Sequence, residues 1–179
     1  EQLALLDALN RRVPDIVGLR RDVPNINFRA GLSTGEVVVG SVGSETARSF
    51  TVMGDTVNQA SRLEAANKVY GTNVLIDHET YAAAGSAIET RLIDEIKVVG
   101  RDEPLQIYEL AAMAGDLAAD KRALFDVFAE GLEHYKRADW SKAETAFKAA
   151  LVRSPDDGPS RTLLSRIPGL RQSASTDWS

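Results

Sequence analysis

Cysteine is missing altogether from the 179 residues, and histidine and tryptophan occur only twice each. The lack of thiols excludes disulfides and thiolate metal sites, and it fits a reducing compartment. His78 has no neighbour at metal-ligand spacing and reads as a surface residue in the first turn of a short helix. No apolar run approaches the ~20 residues that a membrane span requires, and the N-terminus carries no signal-peptide pattern. A basic stripe is also lacking. Lys and Arg number 21 against 26 Asp and Glu, a net charge of −5, which speaks against nucleic acid as a partner. What is present suits an ordinary globular chain: 44% apolar and 26% charged residues, at a length for one domain plus a small appendage. The expectation is a soluble, cytoplasmic protein whose described segment makes no membrane contact.

In chain order, residues 1 to 21 read as an amphipathic helix, with a break or kink expected near Arg12 because Pro14 removes a ladder donor. Residues 22 to 27 form a turn. Phe28 to Ser33 and Glu36 to Ser41 read as strands around Thr34-Gly35, and the β-branched run Val37-Val38-Val39 predicts a strand covered on both faces. Gly31, Gly35, Gly40 and Gly43 lack the Lys-Ser/Thr ending of a phosphate loop and read as points of close packing and turning. Further on, Asn73 to Asp77 is a short strand, followed by a short helix capped by Asp77. Glu89 to Val99 and Leu105 to Leu110 complete the strands. Elements of both kinds, segregated and not strictly alternating, give an α+β class.

The stretch from Ser49 to Lys68 joins these parts. Phe50, Val52 and Met53 end a strand, Gly54 turns the backbone, and a helix is predicted from about Thr56 to Lys68, with Asp55 or Thr56 as its cap. Asn58 and Arg62 lie four residues apart and therefore project from one face. An amide and a guanidinium near a helix N-terminus suit an anionic ligand, the amide fixing a sugar oxygen and the arginine facing phosphate. On spacing alone, a surface arginine and a capping asparagine also satisfy the pattern.

Gly54-Asp-Thr-Val-Asn-Gln-Ala-Ser-Arg-Leu-Glu64 resembles the signature of the class III adenylyl/guanylyl cyclase catalytic domain. Phe28 to Glu45 resembles the segment preceding it in that family; Tyr70 to Ile76 and Gly100 to Glu109 continue the likeness in order. The resemblance covers roughly residues 27 to 111 and implies a partial ferredoxin-like sheet with helices on one face. It also implies the reaction, ATP or GTP to a 3′,5′-cyclic nucleotide and pyrophosphate, at a site shared across a homodimer. By resemblance Arg62 is the transition-state arginine, Asn58 orients the ribose, and Thr51 reads the base edge, in the manner of the bacterial adenylyl type. Where the family carries a triphosphate lysine this chain has Val99, which leaves Lys97 and Arg101 as substrate-binding candidates.

The resemblance further implies Mg²⁺ or Mn²⁺, held by two aspartates on strands that precede the helix of residues 1 to 21 in the family. Asp55, Asp77 and Asp94 do not sit in a matching context, so the ion ligands, like the adenine-selecting lysine, are expected outside these residues. This chain by itself is then expected to be inactive. A catalytically inactive, cyclase-like binding or regulatory module is the alternative, and a purely helical scaffold would leave the central motif unexplained. The domain reading is 1–111 for the C-terminal part of the cyclase domain and 112–120 for a linker. Residues 121–167 read as a helical hairpin and 168–179 as a flexible tail with Trp178 as its one anchor. In the hairpin, Trp140, Ala143, Phe147, Ala150 and Pro155 resemble a tetratricopeptide repeat, with Tyr135 one residue out of register. One repeat cannot close a groove, so the hairpin is expected to pack on the cyclase-like part or on a partner.

Overall fold

Strands and helices sort into a mixed sheet, a separate β-ribbon and a C-terminal group of helices. The computed structural model describes residues 2–23, 25–44, 48–96 and 104–176. Helix α1 (Gln2–Val17) leads into the strands β1 (Ala30–Leu32), β2 (Val38–Gly43) and β3 (Arg48–Met53), then helix α2 (Asp55–Tyr70). Strand β4 (Val74–Asp77), helix α3 (His78–Ala84), and strands β5 (Ile88–Ile96) and β6 (Leu105–Met113) follow. The chain then enters α4 (Ala119–Lys136), α5 (Trp140–Arg153) and α6 (Gly158–Thr176).

The four-stranded sheet has the order β1-β4-β6-β5, with β1 and β4 parallel and the other pairs antiparallel. Its core face packs on α2: Leu63 and Tyr70 from the helix meet Leu75, Ile93, Leu105 and Ile107 from the sheet. Cross-strand partners Ile76 and Tyr108 point the other way, where Tyr81 of α3 stacks on Tyr108 at 4.4 Å between ring centroids. Asp77 caps α3 as expected, accepting the Thr80 amide at 2.8 Å. The α+β class stands.

Four local expectations need correction. Helix α1 continues through Pro14 to Val17; a proline in the last turn removes only one ladder bond, too little to end the helix at Arg12. Strands β2 and β3 form a ribbon of their own, and Val38 and Val39 are 66% and 53% exposed instead of covered. A β-branched run records strand preference and a demand for burial, but among the described residues nothing covers this ribbon. No side chain caps α2: its N-cap is Gly54, at φ 149° and ψ 165°, and Thr56 Oγ1 donates to the Glu36 carbonyl at 3.1 Å. Finally, the C-terminal region is three helices, because α6 runs through Pro168 to Thr176 where a frayed tail was expected. Leu163 and Ile167, four residues apart, extend its apolar stripe into a core with Phe128, Leu132, Ala143 and Phe147.

This helical unit packs within the chain. Arg91 of β5 donates to Glu109 of β6 at 2.6 Å and to Asp157, just ahead of α6, at 2.5 Å. Its guanidinium lies 4.6 Å and 4.8 Å from the ring centroids of Phe125 and Phe128 in α4. Lys97, Val99 and Arg101 lie outside the described residues, as does Trp178. No helix among the described residues is long and apolar enough to cross a membrane.

Candidate active site

The turn from β3 into α2 is built by close approaches. A Cβ at Gly54 would meet the Glu36 carbonyl at 3.2 Å, and one at Gly35 would meet Thr56 Oγ1 at 2.6 Å. Glycine at these two positions brings the start of β2 against the first turn of α2. Gly31 performs the same service one turn later. A side chain there would run into the Ala60 carbonyl and the Glu64 amide, so β1 lies directly on the helix backbone.

The inner row of α2 is unusually polar. Gln59, Leu63, Asn67 and Tyr70 are its buried residues. Gln59 Nε2 donates to Asp77 Oδ2 at 2.7 Å, and Ser33 Oγ donates to the same oxygen at 2.5 Å. Asn67 donates to the Ala30 carbonyl at 2.8 Å and accepts from Thr72 Oγ1 at 2.9 Å. These bonds fix the rotation of α2 against β1 and β4, because an amide satisfies them in one orientation only.

That rotation presents the residues predicted for the site. Asn58 and Arg62 each precede a buried residue by one position, so their row lies about 100° round the helix from the core row. Both are exposed, and neither side chain has a hydrogen-bond or ion-pair partner among the described residues. An unpaired guanidinium two turns from a helix N-terminus is chemically ready for an anion. Thr51 is half-buried on β3, opposite Gly40 in the ribbon, and a Cβ at Gly40 would meet nothing within 4 Å. The face of the ribbon that Thr51 shares with Gly40 is therefore open above Gly40.

The acidic residues do not suit a divalent ion. Among the described residues there is no group of three or more His, Cys, Asp and Glu able to hold one. Asp77 is fully buried and spends its oxygens on Ser33, Gln59 and the Thr80 amide. Asp94 accepts from Tyr70 Oη and Arg166 Nη1, both at 2.6 Å. His78 is exposed, with its ring 3.4 Å from the Tyr108 hydroxyl, as a surface residue should be. Sequence reasoning missed Gln59 and Asn67, and it read Asp77 only as the cap of α3. The signal was there in part: Gln59, Leu63 and Asn67 recur every four residues, a core row with polar members.

Comparison with known proteins bears on the family and the fold. The adenylate and guanylate cyclase catalytic domain family profile matches residues 2–112. The terminal-differentiation-specific adenylate cyclase of Dictyostelium discoideum is 32% identical over 146 residues, covering 79% of this chain and 7% of that protein. That coverage exceeds what residues 2–112 alone can supply, so the likeness reaches into the C-terminal helices. Adenylate cyclase 1 of Rhizobium meliloti is 43% identical over 91 residues, covering 51% of this chain and 14% of that protein. The crystal structure of the adenylyl cyclase CyaB from P. aeruginosa superimposes with a TM-score of 0.51 at 31% identity, covering 65% of this chain and 58% of that one. The chain thus spans a small part of the curated relatives it matches.

Proposed function

Because the chain belongs to the adenylate and guanylate cyclase catalytic-domain family, we propose that it supplies the nucleotide-facing half of a cyclase site and that its substrate is ATP. The observation that carries this reading is the exposed, unpaired pair Asn58 and Arg62, held on one face of α2 by the buried row beside it. Arg62 offers a planar fork to phosphate oxygens as charge shifts during attack of the ribose 3′ oxygen on the α-phosphate. Asn58, one turn nearer the helix N-terminus, orients the ribose. Thr51, on the ribbon face that is open above Gly40, reads the base edge. Lys97 and Arg101 are the proposed contacts to the triphosphate tail.

The donor set of the described residues does not fit Mg²⁺ or Mn²⁺, so the ion-binding half belongs to other residues and residues 1–179 alone are expected to be inactive. The exposed row Val39, Val52 and Phe50 on one face of the ribbon, with Val38 and Met53 exposed on the other, supports such an assembly, since an apolar ribbon of this kind asks to be covered. We place its cover in the other half of the site, across a homodimer.

The test is turnover in an active assembly that contains residues 1–179. Arg62→Ala should lower kcat by ~10²-fold or more with little change in KM for ATP, and Asn58→Ala should do likewise. Lys97→Ala and Arg101→Ala should instead raise KM. An Arg62→Ala variant within twofold of the parent would sink the assignment.

A further inference from the structure

Helix α2 is held at three levels, and the last of them does not belong to the sheet. Its start is fixed by Gly54 and Gln59 and its middle by Leu63 and Asn67. Its C-terminal end is fixed by α6. Thr162 Oγ1 donates to the Val69 carbonyl at 2.9 Å, one of the last carbonyls of α2, which lack a partner within the helix. Arg166 donates to Asp94 at 2.6 Å and to Tyr70 Oη at 3.2 Å, and lies over the Tyr70 ring, 5.2 Å from its centroid. Gly158, the first residue of α6, lies so close that a Cβ there would strike the Tyr70 carbonyl and Gly71. Gly71 itself takes φ 65°, closing α2 with its amide bonded to the Asn67 carbonyl.

We infer that α6 is a working part of the cyclase site: through Arg166 and Thr162 it anchors the far end of α2 and thereby sets the position of Asn58 and Arg62. Arg166 and Thr162 are positioning residues, not catalytic ones. The inference rests on the function proposed above for Asn58 and Arg62.

The physics is that of a rigid rod. Arg62 and Tyr70 are eight residues apart, about 12 Å along the axis. A helix held at both ends keeps its side chains in register, whereas one held only at its start and middle can rock about those contacts once its C-terminal end is free. Positioning catalysis is steep enough that a shift of about 1 Å can cost ~10²-fold in rate. The anchor is also hard to replace: Asp94 is a buried carboxylate whose one cation among the described residues is the part-exposed Arg166.

Two measurements test this. Amide hydrogen exchange on residues 1–179 should show Arg166→Ala and Thr162→Val speeding exchange at residues 58–62 about tenfold, with the amides of α5 unchanged. No change at residues 58–62, or a uniform rise across sheet and helices, overturns the inference whatever the enzyme does. In the active assembly, Arg166→Ala should lower kcat about tenfold with KM for ATP unchanged, and Arg166→Lys should restore part of the loss. In an Arg62→Ala background, Arg166→Ala should have a smaller further effect than in the parent, because one of the two groups it positions is gone. An equal loss in both backgrounds also overturns it. If the exchange result holds while Arg62→Ala turns over like the parent, the anchoring stands and the assignment of the site is what fails.

Discussion

Arg91 illustrates at the scale of a residue how this chain spends its charges. Its side chain is only 6% exposed, yet it carries two ion pairs, to Glu109 and Asp157, and packs on two phenylalanine rings. One further nitrogen, Nη1, is buried with no hydrogen-bond partner among the described residues, so the site is built for a planar fork and not for a point charge. Arg91→Ala leaves Asp157 without its cation and Glu109 with only the Lys121 contact at 3.4 Å, and should cost about 3–5 kcal/mol. Arg91→Lys should recover only part of that, measured by urea unfolding. The pair also has a pH signature. Burial opposes the charge on Asp157, but the Arg91 guanidinium and the Ser160 contacts outweigh it and hold the carboxyl below its ordinary value. A depressed folded value means that the contribution is complete above about pH 4 and is lost as pH falls below that. Asp157→Asn should therefore be less stable at pH 7 and show a shallower loss on acidification; parallel acid limbs would show that the pair does not govern that range. None of this was legible in sequence. The partners of Arg91 stand 18 and 66 positions away, and an arginine in an alternating strand reads as solvent-facing.

Among the elements, α2 was the most legible. Its apolar and polar spacing, the glycine before it and the glycine after it placed a helix at 56–68, and the structure extends this to Asp55–Tyr70. The extension came at the ends, where capping is decided by what lies nearby: Thr56 turned to the Glu36 carbonyl instead of capping, and Gly71 carried the helix past Lys68. The fit of β1 to α2 yields a sharp expectation. Gly31→Ala would drive a methyl into the helix backbone at Ala60 and Glu64, which cannot move aside as a side chain end could. The variant should lose about 1–3 kcal/mol of stability and should also lower cyclase turnover by shifting α2. An unchanged urea midpoint would mean that the strand and helix stand farther apart than described. The ribbon β2–β3 shows the opposite case. Its residues announced strands correctly, but whether a face is covered depends on what is packed there, and sequence periodicity does not carry that information.

For the whole molecule, the sheet and the C-terminal helices share two ion networks, the buried Arg91–Glu109–Asp157 and the partly buried Tyr70–Asp94–Arg166. Burial, and then Asp94, push the Tyr70 hydroxyl upward, so it stays a donor throughout the physiological range. Arg166 is pushed down by burial but lifted further by Tyr70 and Asp94, and it stays charged. Two parts joined by buried charges cannot separate without exposing each charge alone, so residues 1–179 should unfold in one calorimetric transition. Two resolved transitions would show that the helices fold as an independent appendage.

The α+β class and the order of the elements were legible in the sequence, because local propensity and a spacing of four residues act over a single turn. The family, and Asn58 and Arg62 with it, were named from the resemblance of the Gly54–Glu64 motif, which the spacing by itself does not supply. The tertiary structure decided what lies beside that row: the inward amides Gln59 and Asn67 that fix the helix rotation, the close approach at Gly31, and the docking of α6 on the end of α2. These contacts join residues 18 to 96 positions apart. A polar side chain's sequence neighbours do not reveal whether such a partner will be waiting when the chain closes, and only the folded arrangement turns it from a surface group into an anchor.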